Sequence, residues 1–190
     1  MGSAPNWGLR VRRDWVILGS VGPARSNGST VRRIAASLLV ALASVCLLSS
    51  CASNGALRAM RAQQNTAVVL AFLDTVFNKH EVEQAFKLYV GVSYRQHNPN
   101  VADGVDGAVR ALTKYTHELY PELHQEVKRT VAQGDLVAVH SRYIPSNADR
   151  VRGLGQAAVD IFRVEHGKIV EHWDVLQDIP EKSANDNSMF

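Results

Sequence analysis

Residues 167–176 read Gly167-Lys168-Ile169-Val170-Glu171-His172-Trp173-Asp174-Val175-Leu176. Successive side chains of an extended chain point to opposite faces, so Val170, His172, Asp174 and Leu176 share one side and Ile169 and Trp173 the other. This is a strand whose apolar side also carries an imidazole and a carboxylate. The same period of two continues upstream. Ala158, Asp160, Phe162 and Val164 line one face of a strand over Ala157 to Val164, and His166-Gly167 turns that strand into the last one. Leu136 to Ile144 reads as a third strand, with Leu136, Ala138, His140 and Ile144 on one face. Gly134-Asp135 supplies the hairpin turn to a fourth, which carries Leu123, Val127 and Val131. Pro145 to about Gly155 is a longer loop.

Ahead of Pro121 the apolar period lengthens to that of a helix. Val69, Phe72, Leu73, Val76 and Phe77 make one stripe, with Asn65 or Thr66 available as its cap. Val82, Ala85, Phe86 and Tyr89 make a second and shorter one. Val105, Ala108, Val109, Leu112 and Leu119 make a third, closed by Pro121. Three helices followed by a four-strand antiparallel meander is an α+β arrangement.

Burying a carboxylate or an imidazole without a partner is costly. Strands that each aim one inward are therefore expected to join them in a polar cluster, which is either a pocket or a satisfied core network. Solvent-facing strands are the third reading, because a one-residue slip exchanges the faces.

The 190-residue chain has room for about one domain of ordinary size. Its net charge of +3 is unevenly spread. Residues 1–50 hold six Arg and one Asp, whereas residues 51–190 carry a balance of −2. No Lys/Arg block interleaves with aromatics, so the electrostatic footprint of a nucleic-acid partner is absent.

Arg32 and Arg33 precede an uncharged apolar run, Ile34 to Leu48, shorter than a spanning helix needs. The run ends in Leu48-Ser49-Ser50-Cys51, which resembles a bacterial lipobox cut before a lipidated cysteine. Ala52 at the next position resembles lipoproteins sent on to the outer membrane. The expected organisation is an extension and signal peptide over 1–50, with translation beginning near Val31, and a tether over 51–64. The domain follows over 65–180, then a polar, disordered tail over 181–190. Cys51 is the expected lipidation site and membrane anchor, on the periplasmic side of the cell envelope. Cys46 leaves with the leader, so the mature domain has no free thiol.

Four stretches stand in order: Tyr94-Arg95-Gln96-His97-Asn98-Pro99 with Asp103-Gly104, Gly134 to His140, Val159 to Arg163, and Gly167 to Asp174. Over about Asn65 to Pro180 they resemble the SnoaL-like family of the nuclear transport factor 2-like superfamily. The resemblance implies a cone, a strongly curved antiparallel sheet wrapped by three helices, with a pocket in its hollow. It matches Asp174 to the general acid/base of the polyketide cyclases and Asn98 to their pocket rim. His172 then shares or relays the proton. Where the cyclases carry a histidine on the preceding strand, this chain has Asp160. His97 is expected to donate to a substrate oxygen or to pair with Asp160. His140 is expected in the site as a partner of Asp160 or Asp174, and Phe162 as a substrate contact. His97, His140, His172 and Asp160 could together make a metal site, but they lack the short spacing of a metal motif, and the resemblance implies neither metal nor cofactor. It implies a homodimer through the outer face of the sheet, where Ile169 and Trp173 are placed. Two functions follow as expectations. One is an enzyme moving a proton next to a carbonyl of a small apolar substrate, by aldol-type cyclisation or isomerisation. The other is a non-catalytic envelope lipoprotein that binds a small hydrophobic ligand.

Overall fold

The computed structural model describes residues 54–190. The leader, the lipobox and Cys51 lie outside the described residues. Helix α1 covers residues 54–77, and its stripe of Val69, Phe72, Leu73, Val76 and Phe77 is buried. Residues 54–64, expected as a tether, are helical and continuous with it. Asn65 and Thr66 consequently sit inside the helix and cap nothing. Asn65 Nδ2 donates to the Gly134 carbonyl at 3.2 Å and Thr66 Oγ1 to the Ala62 carbonyl at 2.8 Å. Helix α2, Val82–Tyr89, buries Val82, Ala85 and Phe86. Helix α3, Gly104–Thr113, loosens into a π turn over Lys114–Leu119, a local widening common beside functional sites. Among the described residues no helix is long and apolar enough to cross a membrane.

The strands are β1 Val90–Gln96, β2 His124–Gln133, β3 Leu136–Ile144, β4 Gln156–Glu165 and β5 Lys168–Asp178. They form one sheet in the order β1-β5-β4-β3-β2. The meander β2 to β5 is antiparallel, as expected from the hairpin turns. Strand β1 is an addition, and it pairs parallel to β5, so the sheet is mixed and five-stranded. Its ladder is sparse, at Val90 with Ile169, Arg95 with Glu171 and Gln96 with His172, and Val92 is fully exposed. Val90, Val92 and Tyr94 alternate with Gly91, Ser93 and Arg95, which is the strand signal in this segment. The loop between β3 and β4 also holds a short helix α4, Asn147–Arg152. Ser146 Oγ accepts from the Asp149 N–H at its start, and Gly153 closes it at φ +76°.

The sheet is curved, with the helices packed against it. Bulges supply the bends, because an extra residue on one strand increases the local twist. One lies between Val127 and Arg129 on β2. Another lies where Val164 meets Ile169 and Arg163 meets Glu171. The second bulge changes the parity of β5. Ile169, expected on the outer face with Trp173, is instead fully buried in the core. Val170, left over at the bulge, packs at Gly91, where a Cβ would stand 3.2 Å from its Cγ1.

Aromatic edges tie the helices to the sheet. Phe72 meets Phe86 and Phe162 at 5.4 and 6.0 Å, Phe77 meets Tyr143 at 4.9 Å, and Phe86 meets Tyr94 at 5.8 Å, all edge to face. In the tail the Phe190 ring lies 5.3 Å from that of His140. Truncating Phe72 to Ala is expected to lower the unfolding free energy by about 3–5 kcal/mol, against about 0.5 kcal/mol or less for exposed Val151→Ala. Urea denaturation checks both, and equal effects would contradict the assignment of the core.

Candidate active site

Helices and sheet enclose a cavity of about 530 Å³. Phe72, Leu73, Phe77, Leu112, Phe162 and Leu176 supply its apolar wall. One side of it is polar, and the register of β4 against β5 explains why. Asp160 stands directly opposite Asp174, and Phe162 opposite His172, so all four side chains share the inner face. Asp160 is 3% exposed. Its Oδ1 lies 3.2 Å from His172 Nε2, and its Oδ2 accepts from the Tyr143 hydroxyl at 3.1 Å. The Phe162 ring packs 4.7 Å from the imidazole.

Strand β1 brings a second set of polar groups to the cavity. Tyr94, Gln96 and Asn98 alternate into it. Asn98 Nδ2 donates to both oxygens of Asp174, at 2.9 and 2.8 Å, while its Oδ1 accepts from the Asn100 N–H at 2.8 Å. The backbone donor settles which end of that amide is oxygen, so its NH₂ faces the carboxylate. Gln96 Oε1 lies 3.0 Å from His172 Nδ1, and Gln96 Nε2 donates to the Tyr94 hydroxyl oxygen at 2.9 Å. The end of the strand is anchored by Asp103, whose Oδ1 accepts from the Gln96 N–H at 2.8 Å. That bond, followed by one from the Gly104 N–H, holds the Asp103 carboxyl below its ordinary value.

Burial, followed by the charges of Asp174 and Asp160, pushes the Tyr94 hydroxyl far up. Burial, followed by the Asp160 charge, does the same for Tyr143. Both therefore stay protonated and available as donors. Burial also pushes the hydroxyl of Tyr115, on the π turn at the cavity, up to about 12.

Two expected site residues lie elsewhere. His97 follows Gln96 on the outer face, because alternation sends it away from its two cavity-facing neighbours. Its Nε2 is 2.9 Å from Glu171 Oε1, and its ring stacks on Trp173 at 4.7 Å. It pairs with Glu171 and not with Asp160. His140 pairs in register with Val159, whereas Val139 pairs with Asp160. The inner set of β3 is therefore Val137, Val139, Ser141 and Tyr143, all buried. The face assigned to Leu136, Ala138 and His140 is the outer one. Leu136-Val137-Ala138-Val139 is apolar at both parities, so the sequence offered no way to choose between them.

Tyr94, Gln96 and Tyr143 were not singled out by sequence reasoning. The first two stand in the same stretch as Asn98 and would have followed from reading Val90–Gln96 as a strand. As for metals, Asp160, His172 and Asp174 turn one ligand-capable atom each to within 4.8 Å of one another. They are the group among the described residues able to hold a cation. The set differs from the one the sequence suggested, since His97 and His140 lie on the other face.

A curved mixed sheet closes with helices over an apolar cavity that carries two carboxylates and an imidazole on its wall. The chain belongs to the SnoaL-like polyketide cyclase family, whose pattern matches residues 67–182. Among curated proteins there is no match. Among solved structures it is similar to AclR, a candidate hydroxylase from Streptomyces galilaeus, at 20% identity and TM-score 0.51, covering 61% of this chain and 90% of that one. It is also similar to a polyketide cyclase candidate from Acidithiobacillus ferrooxidans, at 15% identity and TM-score 0.50, covering 60% and 87%. At these identities the likeness concerns the fold alone.

On the outer face Glu171 accepts from Arg163 Nε at 2.9 Å and pairs with His97. Arg163 first and His97 second hold its carboxyl below the ordinary glutamate value. A lowered value in the folded state means that this contribution is present above the ordinary value and fades as pH falls through the folded one. Glu171→Gln is therefore expected to lower Tm at neutral pH, with the gap to wild type closing between about pH 5 and pH 2. A pH-independent gap in thermal scans would contradict the pairing.

Proposed function

We propose that the chain catalyses proton transfer next to a carbonyl group, as an aldol-type cyclisation or an isomerisation of a small apolar substrate held in the cavity. One observation carries this reading: Asp174 stands on the wall of an apolar cavity, held by Asn98, beside an imidazole already paired with a second carboxylate. Asp174, as the carboxylate, takes a proton from the carbon next to the substrate carbonyl. The electron pair left on carbon closes a C–C bond onto a second carbonyl or, in an isomerisation, takes the proton back from Asp174 at a different carbon. Negative charge develops on oxygen, and donors aimed at it lower the barrier. The Tyr94 hydroxyl is such a donor, because it accepts from Gln96 and keeps its own hydrogen for a ligand. The alkoxide of a closed ring takes the proton shared by His172 and Asp160. Asp174 then returns its proton to that pair or to solvent, and the site is restored. The chain's departure from the cyclases at Asp160 fits this scheme, since an acid can hold the imidazole in place as its partner.

Two further proposals complete the reading. Leu48-Ser49-Ser50-Cys51 after an arginine-led apolar run supports a lipoprotein anchored through Cys51 to the envelope membrane. Exposed Val131, Val159 and Val175, beside the half-buried Trp173, support a homodimer through the outer face of the sheet.

Screening carbonyl compounds against the protein and its Asp174→Asn variant tests the chemistry. Turnover is expected to fall by about 10²–10⁴-fold in the variant. Unchanged turnover of every responsive compound would overturn the mechanism, and compounds that bind but return unaltered would leave a binding protein. Cys51→Ala is expected to abolish incorporation of a radiolabelled fatty acid into the chain, and the protein is expected to sediment as a dimer. Incorporation that survives Cys51→Ala, or a monomer, would contradict the corresponding proposal.

A further inference from the structure

The two cavity amides do different work. Asn98 grips a carboxylate, whereas Gln96 touches two groups whose hydrogens are mobile. The backbone N–H groups of His97 and Asn98 both donate to one atom of the Gln96 side chain, each at 2.9 Å. A backbone N–H cannot accept, so that atom is the amide oxygen, and the orientation of the amide, usually left open, is settled. The same oxygen lies 3.0 Å from His172 Nδ1. An amide oxygen offers no hydrogen, so the hydrogen of this contact belongs to the ring nitrogen. The other ring nitrogen, Nε2, faces Asp160 Oδ1 at 3.2 Å, and the Tyr143 hydroxyl occupies the second oxygen of that carboxyl.

We propose that Gln96 is the positioning residue of the site: its amide oxygen keeps a hydrogen on His172 Nδ1 and so turns Nε2 to Asp160. The chain of constraint begins in the backbone. Asp103 ties down the Gln96 N–H, the next two peptide N–H groups orient the Gln96 side chain, and the side chain orients the ring. The packed Phe162 ring opposes a flip of the imidazole. The inference rests on the proposed acid/base reading only for its purpose, which is to deliver the proton of the product alkoxide through Nε2. The hydrogen position itself is a property of the ligand-free protein.

The test is a two-bond ¹H–¹⁵N correlation spectrum of the full chain labelled in histidine, with His172 assigned by its loss in His172→Gln. Wild type is expected to show a protonated Nδ1 at every pH at which it is folded. Gln96→Glu, which keeps an oxygen in place, should retain that pattern, whereas Gln96→Leu should give a mixture of both ring tautomers. A bare Nδ1 in wild type would overturn the proposal, as would an unchanged pure Nδ1–H form in Gln96→Leu. If Gln96→Leu does not fold, wild type and Gln96→Glu still decide. A bare Nδ1 leaves Asp174 as the base, and turnover indifferent to Asp174→Asn leaves the Gln96 assignment standing, so the two failures are distinct.

Discussion

Two carboxylates face each other directly across β4 and β5, Asp160 against Asp174, inside an apolar cavity. Like charges in that relation repel, and neither is cheap to take out of water. The polar side of the cavity is arranged around this conflict. Asp160 has an imidazole on one oxygen and a phenol on the other, and Asp174 has both oxygens on the Asn98 amide. The first carboxylate is closed in by its two partners, and the second lies on the wall of the cavity. The division of labour in the proposed reaction follows from this unequal treatment of two chemically identical groups.

Strand β1 is what makes the treatment unequal. Gln96 and Asn98 reach the cavity only because a short parallel strand is laid along β5 with His172 and Gln96 in register. The bulge near Ile169 serves the same end. It lets the start of β5 bury Ile169 in the core while His172 and Asp174, further along, still point into the hollow. Curvature, burial and site are thus consequences of a few irregular residues in an otherwise regular ladder.

The sequence made the meander legible because its turns are chemically explicit. Gly134 and Gly167 both sit at positive φ in two-residue connections, which set the hairpin register that places Asp160 opposite Asp174 and Phe162 opposite His172. Asp160, His172 and Asp174 could be placed together for that reason. Where both parities are apolar, as in Leu136 to Val139, the face of His140 was not encoded in the pattern. In Val90–Gln96 the alternation of Val90, Val92 and Tyr94 is present but was not read as a strand, and with it went the sides of His97, Gln96 and Tyr94. Ile169 shows the third kind of loss, since a bulge shifts parity without changing composition. The family resemblance carried Asn98 to the site, where the periodicity had nothing to say about it.

The central claim is that Asp174 removes a proton from carbon next to a carbonyl. The most direct measurement is deuterium uptake at that carbon, followed by proton NMR, when small 1,3-dicarbonyl compounds are incubated with the protein in D₂O. Uptake well above the buffer rate, falling back to it in Asp174→Asn, is the expected result. Uptake at the buffer rate for compounds shown to occupy the cavity, or uptake that survives Asp174→Asn, would contradict it.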